Sequence, residues 1–182
     1  MDKKVYCVIG LPLSGKTHFA KLIANKYRYG HVSTGDIARS LMDGEAQAAE
    51  TRKADMFPDE QKLRDNLIVT INSKPQSVVL VDGFPRSGDQ VDFMINNMAY
   101  WFPEVIDVAA GDDSTLLRRA RERQRDVGDS NLREFEQRLN AAKKNQTAVY
   151  RVLTARSVQW KTVLSGDDQA MINQFEKVTK ND

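Results

Sequence analysis

Between residues 4 and 27 a strand-like run gives way to a helix-like run. The segment joining them is Gly10-Leu11-Pro12-Leu13-Ser14-Gly15-Lys16-Thr17. It fits the pattern G-x-x-x-x-G-K-[ST], and no other segment constrains the chain as strongly. Residues 4–9 are rich in β-branched and aromatic side chains, as expected of a strand buried on both faces. Residues 16–27 place Phe19, Ala20, Leu22, Ile23 and Tyr27 at helical spacing. Glycines in such a turn let backbone N–H groups converge with no Cβ in the way. The helix N-terminus adds its own unpaired N–H groups and its positive dipole end. The result is an anion cradle. In it Lys16 is expected at the β- and γ-phosphates of a nucleoside triphosphate, and the Thr17 hydroxyl at Mg²⁺. The loop alone does not separate kinases from ATPases, GTPases or motor proteins.

The rest of the chain keeps alternating strand and helix. Residues 30–33, 77–82, 105–109 and 158–164 read as further strands. Ser33 or Thr34 caps a helix running through Ile37, Leu41 and Met42. Pro58-Asp59-Glu60 opens another, with Leu63, Leu67, Ile68 and Ile71 on one face. Residues 91–98, 115–125 and 171–178 are shorter helices, and the run after 115 is expected to break near Gly128. Residues 132–153 form a long helix with Phe135, Leu139, Ala142, Val149 and Val152 inward. Residues 43–57 are polar and Ala-rich, with weak helical character. Parallel strands need crossover connections, so the expected architecture is α/β: a P-loop NTPase fold with a five-stranded parallel sheet and helices on both faces.

Composition narrows the function class. The 27 basic and 25 acidic residues leave a net charge of +2, which argues against a general nucleic-acid binder. One cysteine, Cys7, excludes an internal disulfide, and with only two histidines it also excludes a Cys-rich zinc site. No apolar run approaches the roughly 20 residues of a membrane helix. The run at 5–9 is too short for a signal-peptide core, so a cytoplasmic protein is expected. Asn145-Gln146-Thr147 matches a glycosylation sequon and reads as a chance match.

Two further segments carry a resemblance. They are Ser33-Thr34-Gly35-Asp36-Ile37-Ala38-Arg39 and Asp82-Gly83-Phe84-Pro85-Arg86-Ser87-Gly88-Asp89-Gln90. Together with the phosphate loop, in this order and spacing, they resemble the nucleoside monophosphate kinases, adenylate kinase most closely, over roughly residues 4 to 165. The resemblance implies transfer of the γ-phosphoryl group of MgATP to a monophosphate, AMP first, giving two ADP. It implies a single domain over 1–182: a core of 1–30, 61–120 and 132–182, an acceptor segment 31–60 and a short lid at about 121–131. Mg²⁺ is the implied cofactor and ATP and AMP the implied partners. No nucleic acid or membrane is implied, and a monomer is expected.

Residue by residue, the resemblance places ATP at Gly10, Pro12, Ser14, Gly15, Lys16, Thr17 and His18, with Arg119 and Arg123 from the lid base. It places AMP at Thr34, Gly35, Arg39, Phe57, Gly83, Arg86 and Gln90. Lys16, Arg86, Arg119, Arg123 and Arg138 are the expected catalytic set, and Asp82 orients waters on Mg²⁺ beside Thr17. Thr34 and Gln90 stand where adenylate kinases carry residues facing adenine. The Gln amide both donates and accepts, as an adenine edge requires.

Chemistry agrees with an arginine-rich, base-free site. A monophosphate oxygen already carries charge near neutral pH, so transfer needs positioning and charge neutralisation. Arg118, Arg119, Arg121, Arg123 and Arg125 supply five arginines within eight residues. The chain departs from the family where Thr17 follows Lys16 with no intervening Gly, where Val127 replaces an arginine, and where Ser130 replaces an Asp. Other readings are a UMP, CMP or dCMP kinase, another small-molecule kinase on the same fold, and a non-catalytic nucleotide-binding protein.

Overall fold

The computed structural model describes residues 3–42, 59–127 and 132–179, with the side chains of 123–127 excepted. Five strands form one sheet: β1 (Lys4–Ile9), β2 (Gly30–Ser33), β3 (Val78–Asp82), β4 (Glu104–Ala109) and β5 (Trp160–Leu164). Their order is β2-β3-β1-β4-β5, and every pairing is parallel. The described helices are α1 (Lys16–Tyr27), α2 (Thr34–Ser40), α3 (Glu60–Ser73), α4 (Gly88–Asn97), α5 (Asp113–Val127), α6 (Leu132–Ala155) and α7 (Asp168–Thr179). A 3₁₀ turn covers Ala99–Trp101. The expected five-stranded parallel α/β sheet is therefore present.

The alternation within β1 builds both faces. Val5, Cys7 and Ile9 join Val79, Val81, Val91, Met94, Val149 and Leu153, on the face carrying α3, α4 and α6. Tyr6 and Val8 join Phe19, Ile23, Leu80, Val163, Met171 and Phe175, on the face carrying α1 and α7. Burial pushes the Cys7 thiol up to about 12, so it is inert packing. On the second face an aromatic cluster closes the core. The Phe175 ring lies 5.4 Å from Tyr6, 6.0 Å from Phe19 and 5.7 Å from Tyr27, centroid to centroid.

Caps explain where helices begin earlier than periodicity suggests. Asp112 Oδ1 accepts from Thr115 N at 2.9 Å, and α5 starts at Asp113. Ser87 Oγ accepts from Gln90 N at 3.2 Å, and α4 starts at Gly88. Ser33, rather than Thr34, caps α2 by accepting from Asp36 N. That helix ends at Ser40, so Leu41 and Met42 fall outside it. Within α6, Leu139, Ala142, Val149 and Leu153 are buried, whereas Phe135 and Val152 are only half-buried. The expected Ala-rich segment 43–57 and the break near Gly128 lie outside the described residues. No described helix is long and apolar enough to cross a membrane.

The strand order creates a switch point. The chain leaves β1 toward β2 and β3 on one side, then crosses to β4 and β5 on the other. The crevice beyond the carboxyl end of β1 lies at this switch point, the usual ligand position in open parallel sheets.

The aromatic cluster yields a stability prediction. Phe175→Ala removes a ring that touches three others and should cost about 3–5 kcal/mol in urea unfolding. Tyr100→Ala, at a residue 56% exposed, should stay within about 0.5 kcal/mol. A Phe175 cost under about 1 kcal/mol would mean that α7 is not part of the cooperative core.

Candidate active site

Register brings the site together. Val8 of β1 pairs with Asp82 of β3, Ser33 of β2 also pairs with Asp82, and Ile9 of β1 pairs with Asp107 of β4. The phosphate loop leaves β1 at Gly10, whose φ is 147°. A Cβ there would lie 2.5 Å from the Val108 carbonyl oxygen and 2.6 Å from Ser14 Oγ. Only glycine permits this approach. Pro12 and Ser14 are buried, and Gly15 caps α1 in a left-handed conformation. Lys16 Nζ donates to the Leu11 carbonyl at 3.1 Å, folding back over the loop it serves. Thr17 is exposed on the first turn of α1.

The loop is braced from outside by Arg119. Its Nη1 donates to the carbonyls of Leu13 at 2.9 Å and Ser14 at 3.1 Å, and its Nη2 to Ser165 Oγ at 3.1 Å. One guanidinium thus ties the phosphate loop to the segment after β5. Arg118 instead pairs with Glu122 at 2.8 Å on the outer face of α5. The Arg123 and Arg125 side chains lie outside the described residues. His18, expected among the ATP residues, hydrogen-bonds Asp168 at 2.6 Å, which spends its ring on α7.

On the other side of β1 stands the Asp82-to-Arg86 turn. Gly83 has φ of 84°, and a Cβ there would lie 2.7 Å from Arg86 Nη2. Arg86 Nε donates to the Gly83 carbonyl at 2.8 Å, so the side chain folds back across its own turn. Thr34 is fully buried, and its hydroxyl lies 2.9 Å from the carbonyls of both Asp82 and Gly83. That hydroxyl braces the turn with its single hydrogen. Gln90 is buried. Its Oε1 accepts from Arg86 N at 2.8 Å, and its Nε2 donates to Glu60 Oε1 at 2.9 Å and Oε2 at 3.1 Å. Gly35 lies in the first turn of α2, and Arg39 on the same helix pairs with Asp36. Burial works to raise the Asp36 carboxyl, but the Arg39 and Ser33 contacts outweigh it and hold the group below the usual range. Phe57 lies outside the described residues.

One cleft joins the two halves. It is lined by Gly10, Leu11 and Lys16 from the loop, Gly83, Pro85 and Arg86 from the turn, and Ala142, Asn145, Gln146 and Val149 from α6. Arg138 stands one turn before Ala142 on the same helical face, half-buried. The motifs did not point to Asn145 and Gln146, whose sequon reads as chance. The signal available was their helical spacing from Arg138. Ser165 and Glu60 also carried no motif.

The chemistry of the donors suits Mg²⁺. Asp82 is 4% exposed at the end of a central strand, and its Oδ1 has no hydrogen-bond partner among the described residues. A buried carboxylate oxygen left unsatisfied beside a phosphate loop fits a hydrated cation, and the Thr17 hydroxyl is available on α1. A second carboxylate, Asp107, accepts from Tyr150 Oη at 2.7 Å and Gln146 Nε2 at 3.2 Å. Burial holds its carboxyl above the usual range, against the Tyr150 bond and the Lys16 charge. Burial likewise holds His31 below its usual value, although Asp82 lies 3.9 Å away.

With this geometry in place, comparison with known proteins gives consistent matches. The AAA domain family matches residues 9–136, more than half of the chain. An adenylate kinase of Nautilia profundicola is 38% identical over 104 residues, covering 52% of this chain and 54% of that protein. An adenylate kinase of Wolinella succinogenes is 34% identical over 97 residues, half of each chain. One from Mesomycoplasma hyopneumoniae is 38% identical over 103 residues, 53% of this chain and 47% of its own. The chain spans about half the length of the curated relatives it matches.

The tight loop can be tested. In Gly10→Ala the new Cβ has to displace backbone, which should lower stability by about 1–3 kcal/mol. Binding of a fluorescent ATP analogue should weaken at least tenfold. Binding within twofold of wild type would show that the loop does not depend on this close approach.

Proposed function

The chain belongs to the AAA domain family and is adenylate kinase-like in sequence, and from that premise we propose that it transfers the γ-phosphoryl group of ATP to a nucleoside monophosphate, with AMP the preferred acceptor. The observation that carries this reading is the shared cleft. Lys16 of the phosphate loop and Arg86 of the turn after β3 line the same space, with α6 as its far wall. A second cationic turn facing the phosphate loop suits a second phosphate-bearing substrate.

In this reading the loop N–H groups, Lys16 and the α1 N-terminus hold the donor phosphates. Arg119, which already grips the loop, orders the donor side together with Arg123. Arg39 and Arg86 hold the acceptor phosphate, and ligand binding draws Arg39 from Asp36. Arg138 reaches the transferring group from α6. Thr17 and, through water, Asp82 would hold Mg²⁺, which would neutralise charge on the β- and γ-phosphates of ATP. The acceptor oxygen arrives already deprotonated, so no side chain has to remove a proton. The described residues therefore act by holding two phosphate chains in line and cancelling their repulsion. The reading keeps a core, an acceptor segment at 31–60 and a short lid at about 121–131, whose closure over both nucleotides would exclude the water that otherwise hydrolyses ATP. Selection of AMP is assigned to Thr34 and Gln90 together: the Thr34 hydroxyl gives its one hydrogen to the main chain and keeps its acceptor lone pairs.

Two variants and one panel test the reading. Lys16→Ala should lower kcat at least a hundredfold with the circular dichroism spectrum unchanged. Arg86→Ala should raise the KM for AMP tenfold or more while leaving ATP binding within about threefold, because it removes charge-assisted contacts from one substrate only. Across AMP, CMP, UMP and GMP at fixed MgATP, AMP should give the highest kcat/KM. Equal weakening of both nucleotides in Arg86→Ala would remove that residue from the acceptor site. Lys16→Ala activity within tenfold of wild type would overturn the assignment.

A further inference from the structure

Gln90 is held by two partners of opposite kind. A carboxylate offers only acceptors, and a main-chain N–H offers only a donor. Glu60 opens α3 and meets the Gln90 Nε2 at 2.9 and 3.1 Å through its two oxygens, while Arg86 N donates to Oε1 at 2.8 Å. Rotating the amide by half a turn would place its oxygen against the Glu60 carboxylate and its NH₂ against the Arg86 N–H. Both contacts would then be lost and both would repel. Glu60 is itself held in place: Arg64 Nε lies 3.6 Å from its Oε2, and the Arg64 guanidinium sits 5.3 Å above the Phe93 ring on α4. Phe93 in turn packs edge-on against Phe84 of the turn, centroids 6.4 Å apart. The lock is therefore anchored in the same turn that aims Arg86.

We propose that Glu60 fixes the orientation of the Gln90 amide and thereby makes the acceptor site select bases with an amino group over bases with a keto group at the equivalent position. This rests on the reading of the cleft as a monophosphate acceptor site with Gln90 at the base. An amide carries two donors and two acceptor sites. With one N–H shared between the two Glu60 oxygens, Nε2 keeps one hydrogen and Oε1 one lone pair, so the capacity left to a base has a fixed order of acceptor and donor. Adenine and cytosine present an amino donor beside a ring-nitrogen acceptor, whereas hypoxanthine and uracil present a keto acceptor beside a ring N–H donor. A freely rotating glutamine serves either pattern by turning over. A locked one leaves two polar groups unpaired with the wrong base. Glu60 acts through Gln90 and does not touch the acceptor, so it is a positioning residue.

The test compares bases of the same size. kcat/KM is measured for AMP against IMP and for CMP against UMP, at saturating MgATP, in wild type, Glu60→Gln and Glu60→Ala. Each ratio is taken within one preparation, so a partly unfolded variant leaves it unchanged, and a merely structural role would not move it. In wild type both ratios should exceed ten. In Glu60→Gln, whose amide both donates and accepts, both ratios should fall about five- to tenfold, and in Glu60→Ala at least as far. If wild type prefers AMP and CMP and both ratios stay within twofold in the variants, the lock is wrong while the transfer reading stands. A wild type that uses IMP and UMP as well as AMP and CMP overturns the lock at once. Turnover of none of the four monophosphates overturns the acceptor reading and the lock with it.

Discussion

At Gly10 the backbone passes so close to β4 that a methyl group would sit 2.5 Å from the Val108 carbonyl oxygen. This contact seats the phosphate loop over the end of β1, and the rest of the site is arranged around it. Because β1 runs between β3 and β4, the same strand end faces Asp82 on one side and Asp107 on the other. Arg119 then presses on the loop from outside, through the Leu13 and Ser14 carbonyls. The loop is held from within by sterics and from without by charge, so its N–H groups are organised before any phosphate arrives. In the proposed transfer, a cradle already in shape would meet developing charge without reorganisation.

The acceptor side is organised by a different principle. There the backbone is fixed by buried side chains: Thr34 on the carbonyls of Asp82 and Gly83, Gln90 on Arg86 N. The Gln90 amide meets a partner of opposite kind at each end, which fixes its orientation. The α3 N-terminus contributes through Glu60, so the helix that follows the acceptor segment is linked directly to the turn that carries Arg86.

The fold was legible because its signals are local. Alternating burial in β1 and the apolar spacing in α1 each follow from a few consecutive residues, and the parallel sheet follows from their order. The boundaries were less legible, since capping by Asp112 and Ser87 extends helices beyond their apolar stripes. Of the site, the motif residues could be named from sequence, but not what holds them. Nothing near Thr34 in sequence reveals that its hydroxyl meets main-chain groups 48 and 49 residues away. His18 follows the loop directly, yet its partner Asp168 is 150 residues distant. Glu60 reads only as a helix-opening acid until Gln90, 30 residues on, is found against it. Long-range polar pairing has no period and no motif, so it is the part that sequence reading misses.

The central claim is that phosphoryl transfer passes between two nucleotides inside one cleft. Incubating the protein with MgATP labelled in its γ-phosphate, with and without AMP, and separating the products tests this directly. The account predicts label in the β-phosphate of ADP when AMP is present, and almost none released when it is absent. Label appearing as inorganic phosphate at the same rate with and without AMP would contradict it.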